Sequence, residues 1–443
     1  MLRRLRILFA VLLMCFSLLG IAQSYQLPAG KKFHKVKFEL INNLMIIPVE
    51  VNGTELSFVL DSGVGKPILF NLADQDSIQL NNVTEITING LGEGDPINAL
   101  KSTGNFVKLG SVKNVSQDIY VVMDAGINFS PSLGVPVHGI IGYDLFRDFV
   151  VDINYSTKAI KFYDPKTYKY RTSKKSRVLD LDVIRKKAYL DASVIVKGAE
   201  EVPVKLLMDT GSSDAVWLFE DERLKIPEKY YDDFLGKGLA GDIFGKRTKI
   251  NHLKISDFIL KDAKAAFPDM ETFNSIKDFG GRNGSLGGEV LKRFNLVFDY
   301  ANRKVILKKN SNFDKMFQYN ISGIDLQHAG IRYVSERIAD SNGVVYSNEK
   351  TYGDVQIVLQ GATRLSLVPE IVVCGIRQGS PAHSAGLKEG DIILAVNGKR
   401  IHRYKLQEIV HMLNVKKDKR IKVLVERYDN NLLFSFVLKP VFE

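Results

Sequence analysis

One short acidic pattern occurs twice in this chain. Asp209-Thr210-Gly211-Ser212-Ser213 follows Leu206-Leu207-Met208, and Asp61-Ser62-Gly63 follows Phe58-Val59-Leu60. In both, an apolar run that reads as a buried strand carries one carboxylate to the point where strand gives way to turn. Glycine at the third position lets the backbone bend tightly. The hydroxyl at the second position can bond to backbone or to a partner loop. Alone, such a triplet reads as a turn or a helix cap. Two of them, each opening one of two similar halves, demand a common explanation.

The halves are an internal duplication. In the first, strand-like sequence from Val36 to Val51 meets the turn signal Asn52-Gly53, and Thr54 to Leu60 climbs to Asp61. In the second, Tyr189 to Val196 alternates like a strand and Val202 to Met208 climbs to Asp209. Each half then carries a glycine-rich hairpin, Ile86 to Gly94 and Gly236 to Gly245. The first is not a phosphate-binding loop, because no Lys-Ser/Thr follows it. The closing segments align without gaps: one spacing separates Gly142 from Gly287, Phe149 from Phe294, Tyr155 from Tyr300 and Lys158 from Arg303.

A length of 443 residues leaves room for two to four domains, and 45% hydrophobic with 25% charged residues is ordinary for a globular protein. Arg3, Arg4 and Arg6 precede an apolar run from Ile7 to Ala22, the pattern of a secretory signal peptide cut ahead of Gln23. An uncleaved anchor is the competing reading; cleavage leaves no stable membrane span. It also lowers the formal charge of +11 by three. The remaining lysines are scattered, with no aromatic-basic constellation for nucleic acid. The mature chain keeps only Cys374, so no intramolecular disulfide forms. Export without disulfides fits a bacterial envelope, periplasmic or extracellular. The seven histidines show no paired ligand spacing, so neither a metal nor another cofactor is expected.

If the halves face each other across a pseudo-twofold axis, Asp61 and Asp209 meet. Two carboxylates about 3 Å apart cannot both ionise cheaply and share a proton. One then serves as base and the other as acid, enough to drive a water onto an amide carbonyl.

These residues resemble the active-site motif of the pepsin and retropepsin-like aspartyl proteases. Leu207-Met208-Asp209-Thr210-Gly211-Ser212-Ser213 with Trp217 is similar to the Asp loop, and Gly139 to Gly142 and Ser285-Leu286-Gly287 to the later hydrophobic-hydrophobic-Gly motif. The resemblance implies a mainly β fold of two duplicated acid-protease-like β-barrel lobes. It implies catalytic Asp61 and Asp209, loop support from Ser62, Gly63, Thr210, Gly211 and Ser212, and interlocking hydroxyls at Ser62 and Thr210. It also implies a glycine-rich flap, with Gly92, Gly94, Gly238 and Gly241 as candidates. The chain departs from the family at Val64, where Ser, Thr or Ala is usual.

The C-terminal stretch differs. Gly379 to Ile393, then Val396-Asn397-Gly398, an apolar helical face at Leu406, Ile409, Val410 and Leu413, and two closing strands resemble a PDZ domain. That resemblance implies an α+β module that takes a C-terminal peptide beside a strand. The expected contacts are Gly323 and Ile324 at the ligand carboxylate and Leu406 and Val410 as groove wall or core. Gly330 to Leu367 then stands as a long insertion.

The domains expected are thus a signal peptide at 1–22, lobes at 23–165 and 179–309, a basic linker at 166–178, and a PDZ domain at 310–443. The expected function is an exported aspartic-type endopeptidase acting on peptide or protein. The alternative is a non-catalytic envelope peptide-binding protein on the same scaffold.

Overall fold

The computed structural model describes residues 24–72, 77–88, 96–124, 126–198, 200–239, 241–273, 281–337, 350–352, 355–357 and 363–442. The segment 1–22 expected as a signal peptide, Gly92 and Gly94 lie outside them. The chain divides into two compact units, one of residues up to Gln318 without Ser130–Val135, the other of Tyr319–Val441 with Ser130–Val135.

The first unit is built almost wholly of strands. Its duplication is visible in sheet order. In the first half, neighbours run Glu39–Ile41, Leu44–Val51, Thr54–Leu60, Gly139–Ile141, Ile68–Leu69, Val112–Val122, Ile97–Leu109, Thr84–Ile88. The second half runs Asp182–Ile184, Lys187–Ile195, Val202–Met208, Gly284–Leu286, Val216–Leu218, Phe258–Pro268, Gly241–Ile255, Tyr230–Gly238. Position by position the order is the same. Each sheet also closes on itself, through Leu44–Val51 with Ile97–Leu109 and through Lys187–Ile195 with Gly241–Ile255, making two barrel-like lobes.

A six-stranded sheet joins the lobes. Val150–Asn154 of the first half pairs antiparallel with Phe294–Asp299 of the second, placing Val151 opposite Phe298 and Ile153 opposite Leu296. All four are fully buried. Phe146 stacks on Tyr300 at 5.3 Å and meets Phe298 edge-on at 5.2 Å. This apolar seam draws equivalent positions from both halves, which is why the closing segments align without gaps.

Two expected boundaries move. The end of the stretch expected as linker, residues 176–178, opens the strand Ser176–Asp180, paired with Lys304–Lys309 at the edge of the six-stranded sheet. Lysine and arginine are at home there, where one side of each strand faces water. Asn310–Gln318 belongs to the second lobe rather than to the PDZ-like unit, because Phe313 and Phe317 bury against it and Arg293 lies over the Phe317 ring at 3.8 Å.

The second unit is a five-strand path, Ile324–Arg337, Thr363–Ile376, Ile392–Val396, Arg420–Arg427, Asn430–Val437. Helix Leu406–Leu413 turns Leu406, Ile409 and Leu413 into a core with Ile324, Val373 and Val425. Pro381–Ser384 forms a short helix whose N-cap Ser380 accepts from the His383 N–H at 3.2 Å. Most of the described part of the expected insertion extends one hairpin, from Ile331 opposite Pro369 to Arg337 opposite Thr363.

Candidate active site

Each acidic loop hangs from a buried strand pair. Gly139–Ile141 runs parallel to Phe58–Leu60, and its Ile141 carbonyl accepts from the Asp61 N–H at 2.9 Å. Gly284–Leu286 runs parallel to Leu206–Met208, and Leu286 accepts from the Asp209 N–H at the same distance. Gly142 then passes so close that a Cβ there would lie 1.7 Å from the Asp61 carbonyl oxygen, so only glycine fits.

The loops are locked to one another. Thr210 Oγ1 accepts from the Ser62 N–H (2.9 Å) and donates to the Leu60 carbonyl (2.8 Å). Ser62 Oγ accepts from the Thr210 N–H (3.0 Å) and donates to the Met208 carbonyl (2.6 Å). Both hydroxyls are buried, at 0% and 1% exposure. Four bonds crossing between two equivalent loops leave their carboxylates face to face. The two carboxyls are close enough for the charge of Asp209 to bear on Asp61. A Cβ on Gly211 would fall 2.3 Å from Asp61 Cγ, and one on Gly63 would fall 3.3 Å from Asp209 Oδ1. The glycines therefore make room for the opposite carboxylate as well as for the turn.

The hairpins that open each half brace the loops. Asn43 donates to the Ser213 carbonyl at 2.6 Å and accepts from Lys292 Nζ at 2.6 Å. On the other side, Lys186 lies against Gly65 and over the Tyr143 ring at 5.4 Å.

The two carboxyls are not equal. Burial raises the Asp61 pKa most, the charge of Asp209 raises it further, and together they push it up to about 7. Its backbone support is the Gly63 N–H at 2.6 Å. Asp209 is also raised by burial, but Arg282 and Lys187 oppose this, as do the N–H groups of Gly211 and Ser212. More positive charge and more donors surround Asp209, which favours its ionised form. The Val64 and Ser212 side chains occupy equivalent places, against Gly142 and Gly287. At Val64 there is no hydroxyl to offer the carboxylate of its own loop.

Behind Asp209, Asp214 is buried. It accepts from Trp217 Nε1 at 3.0 Å and from Arg247 at 2.7 and 2.9 Å. Although burial alone would raise its pKa, Arg247 and Lys264 hold it well below the usual carboxylate range. Trp217 is core, packed with Phe219, Leu235, Ile243, Ala266 and Phe273. Arg282 donates to the Gly284 carbonyl and to Ser285 Oγ and covers the Phe219 ring.

Asp61, Asp209, Ser62, Gly63, Thr210, Gly211 and Ser212 are thus brought together. Gly238 and Gly241 lie at the tip of the hairpin Tyr230–Gly238 to Gly241–Ile255, paired with each other. Sequence reasoning did not select Lys187, Arg282, Asp214 or Arg247. The available signals were slight: an acid and a tryptophan shortly after the second triplet, and a basic residue three positions before Ser285-Leu286-Gly287.

In the second unit, Leu406 is core at 2% exposure, while Val410 faces outward at 37%. The turn expected to hold a ligand carboxylate already spends its donors. Ser322 N–H goes to Asn414 Oδ1 (3.0 Å), Gly323 N–H to Asn320 Oδ1 (2.9 Å) and Ile324 N–H to Ser322 Oγ (3.3 Å). Gly323 itself is pressed against Ser380, where a Cβ would clash at 2.2 Å.

Two interlocked Asp-Ser/Thr-Gly loops at the meeting of duplicated barrels define an acid-protease-like unit. Comparison of the sequence with family models agrees. A family model described as aspartyl protease matches residues 47–145, and one described as PDZ domain matches residues 372–427. The chain carries an aspartyl protease domain and a PDZ domain. Among solved structures, an aspartic proteinase from Irpex lacteus is similar at 14% identity, over 64% of this chain and 99% of that one, with a TM-score of 0.39.

Proposed function

We propose that this chain is an exported aspartic-type endopeptidase. The observation that carries the proposal is the reciprocal Ser62–Thr210 lock, which holds the Asp61 and Asp209 carboxyls face to face. Ionised Asp209 takes a proton from a water, whose oxygen adds to the peptide carbonyl carbon. Protonated Asp61 donates to the carbonyl oxygen. The tetrahedral gem-diol intermediate then collapses: Asp209, now protonated, gives its proton to the amide nitrogen, the C–N bond breaks, and Asp61 recovers a proton from one gem-diol hydroxyl as the new carboxyl forms, with no covalent enzyme intermediate. Export, to a bacterial periplasm or exterior, rests on the signal-like sequence from Arg3 to Ala22. The PDZ domain supplies peptide docking. Digestion of a peptide library by the mature chain from acidic to neutral pH tests the reading. Specific cuts that disappear in Asp209→Asn support it; no cleavage at any pH favours the non-catalytic peptide binder, for which Val64 is the supporting feature.

The rate should be bell-shaped in pH. Its acid limb follows ionisation of the base, and its alkaline limb follows loss of the Asp61 proton near pH 7. Arg282 lowers the Asp209 pKa, so Arg282→Gln should move the acid limb to higher pH, and Arg282→Lys should move it back. A pH profile of kcat/KM checks this, and an unmoved limb in Arg282→Gln rejects the assignment of Asp209 as base.

A further inference from the structure

Ser130–Val135 leaves the first lobe after Phe129, joins the PDZ unit, and returns to the lobe at Pro136. It lies between the two elements that form a peptide groove in a PDZ module. Ser130–Leu133 makes a single helical turn packed on strand Ile324–Arg337, with Gly134 N–H closing it onto the Ser130 carbonyl at 2.8 Å. Leu133 is buried at 6% exposure, and its carbonyl accepts from Gln407 Nε2 of helix Leu406–Leu413 at 2.5 Å. Gly134 backs onto both walls: a Cβ there would stand 2.8 Å from Leu406 Cβ and 3.5 Å from His328 Cε1. Its φ of +67° suits glycine and strains any other residue.

We propose that the PDZ groove is occupied in cis by Ser130–Val135, and that it recognises an internal Ser-Pro-Ser-Leu-Gly turn rather than a free C-terminus. The first clause rests on contacts with strand and helix together. The second rests on the Ser322, Gly323 and Ile324 N–H groups, all of which already have side-chain acceptors. An incoming peptide and the tethered segment exclude one another. A tether anchored at both ends keeps the segment at an effective concentration on the order of millimolar, so a weak free ligand competes poorly.

The proposal goes beyond the protease reading and is tested by binding alone, in the full mature chain carrying Asp209→Asn so that no probe is cut. The probe is a fluorescein-labelled peptide spanning Asn128 to Val137, as the free acid and as the amide. In that background, Gly134→Val should expel the segment and tighten binding of the probe at least tenfold. Adding Gln407→Ala should reverse the gain, and the two forms of the probe should bind alike. Without Gly134→Val, excess probe should accelerate hydrogen exchange across residues 130–135, a readout that holds even if Gly134→Val folds poorly. Equal affinity with and without Gly134→Val, binding that leaves exchange at 130–135 unchanged, or no binding at all overturns cis occupancy. Binding that requires the free carboxylate overturns recognition of an internal turn.

Discussion

Asp61→Asn should lower kcat on a cleavable peptide about a thousandfold or more, and so should Asp209→Asn, because the proposed mechanism needs both carboxyls and the one proton they share. An asparagine in place of Asp61 cannot pass a proton to the carbonyl oxygen; one in place of Asp209 cannot take a proton from water. The loss must come without loss of fold, and for Asp61 stability should move the other way. Folded Asp61 keeps its proton up to about pH 7, whereas an unfolded aspartate releases it near 3.8. Between those values the folded chain binds more protons, so its stability falls as pH rises through that window. Asparagine escapes the fall. Asp61→Asn should therefore be more stable than the parent at pH 8 by about 2 kcal/mol, a figure discounted because the side chain keeps part of its surface in solvent, and the advantage should shrink toward pH 4. Denaturant titrations at both pH values, beside turnover of one peptide, measure the two effects together. Near-normal turnover in Asp61→Asn would sink the two-lobe mechanism.

How much of this was legible in the sequence follows from what each part depends on. The paired triplets and gapless closing segments could be read because they are local: strand, acid, glycine and a fixed spacing to the seam residues Phe149 and Phe294. The common sheet order follows from that repeat. Lys187 and Arg282 were not legible as charged neighbours of Asp209, because the hairpin Asp182–Ile184 to Lys187–Ile195 and the approach to Gly284 set their positions through long-range pairing. Neither stands at a distinctive spacing from Asp209. Which of Leu406 and Val410 is core stayed open for a different reason, since both lie on one apolar face. Leu406, Ile409 and Leu413 complete the buried stripe of this short helix, and the residue beside Ile409 is turned outward. The excursion of Ser130–Val135 into the PDZ unit carries no sequence signal, since Ser-Pro-Ser-Leu-Gly reads as an ordinary turn.

Thr210→Val should be the most damaging change among residues that do no chemistry. Valine matches threonine in shape, so packing is kept and only the hydroxyl is lost. Two buried groups then lose their partner, the Ser62 N–H and the Leu60 carbonyl, one on each side of Asp61 in the chain. An unsatisfied buried group costs about 1–3 kcal/mol, so the pair should cost about 3 kcal/mol of stability. Turnover should fall as well, by about a hundredfold, because the lock fixes the approach of the carboxylates and a shared proton tolerates little misplacement. Thr210→Ser keeps both bonds and should restore most of the loss, which separates the hydroxyl from the methyl. Ser62→Ala strips the mirror pair, the Thr210 N–H and the Met208 carbonyl. If the four bonds act as one clasp, the first substitution already loosens both loops. The double variant should then cost clearly less than the sum of the singles in a double-mutant cycle read by denaturant unfolding. Strict additivity would mean that the hydroxyls brace their loops independently, and the geometry of the dyad would then have to be held by the Asn43 and Lys186 hairpins instead.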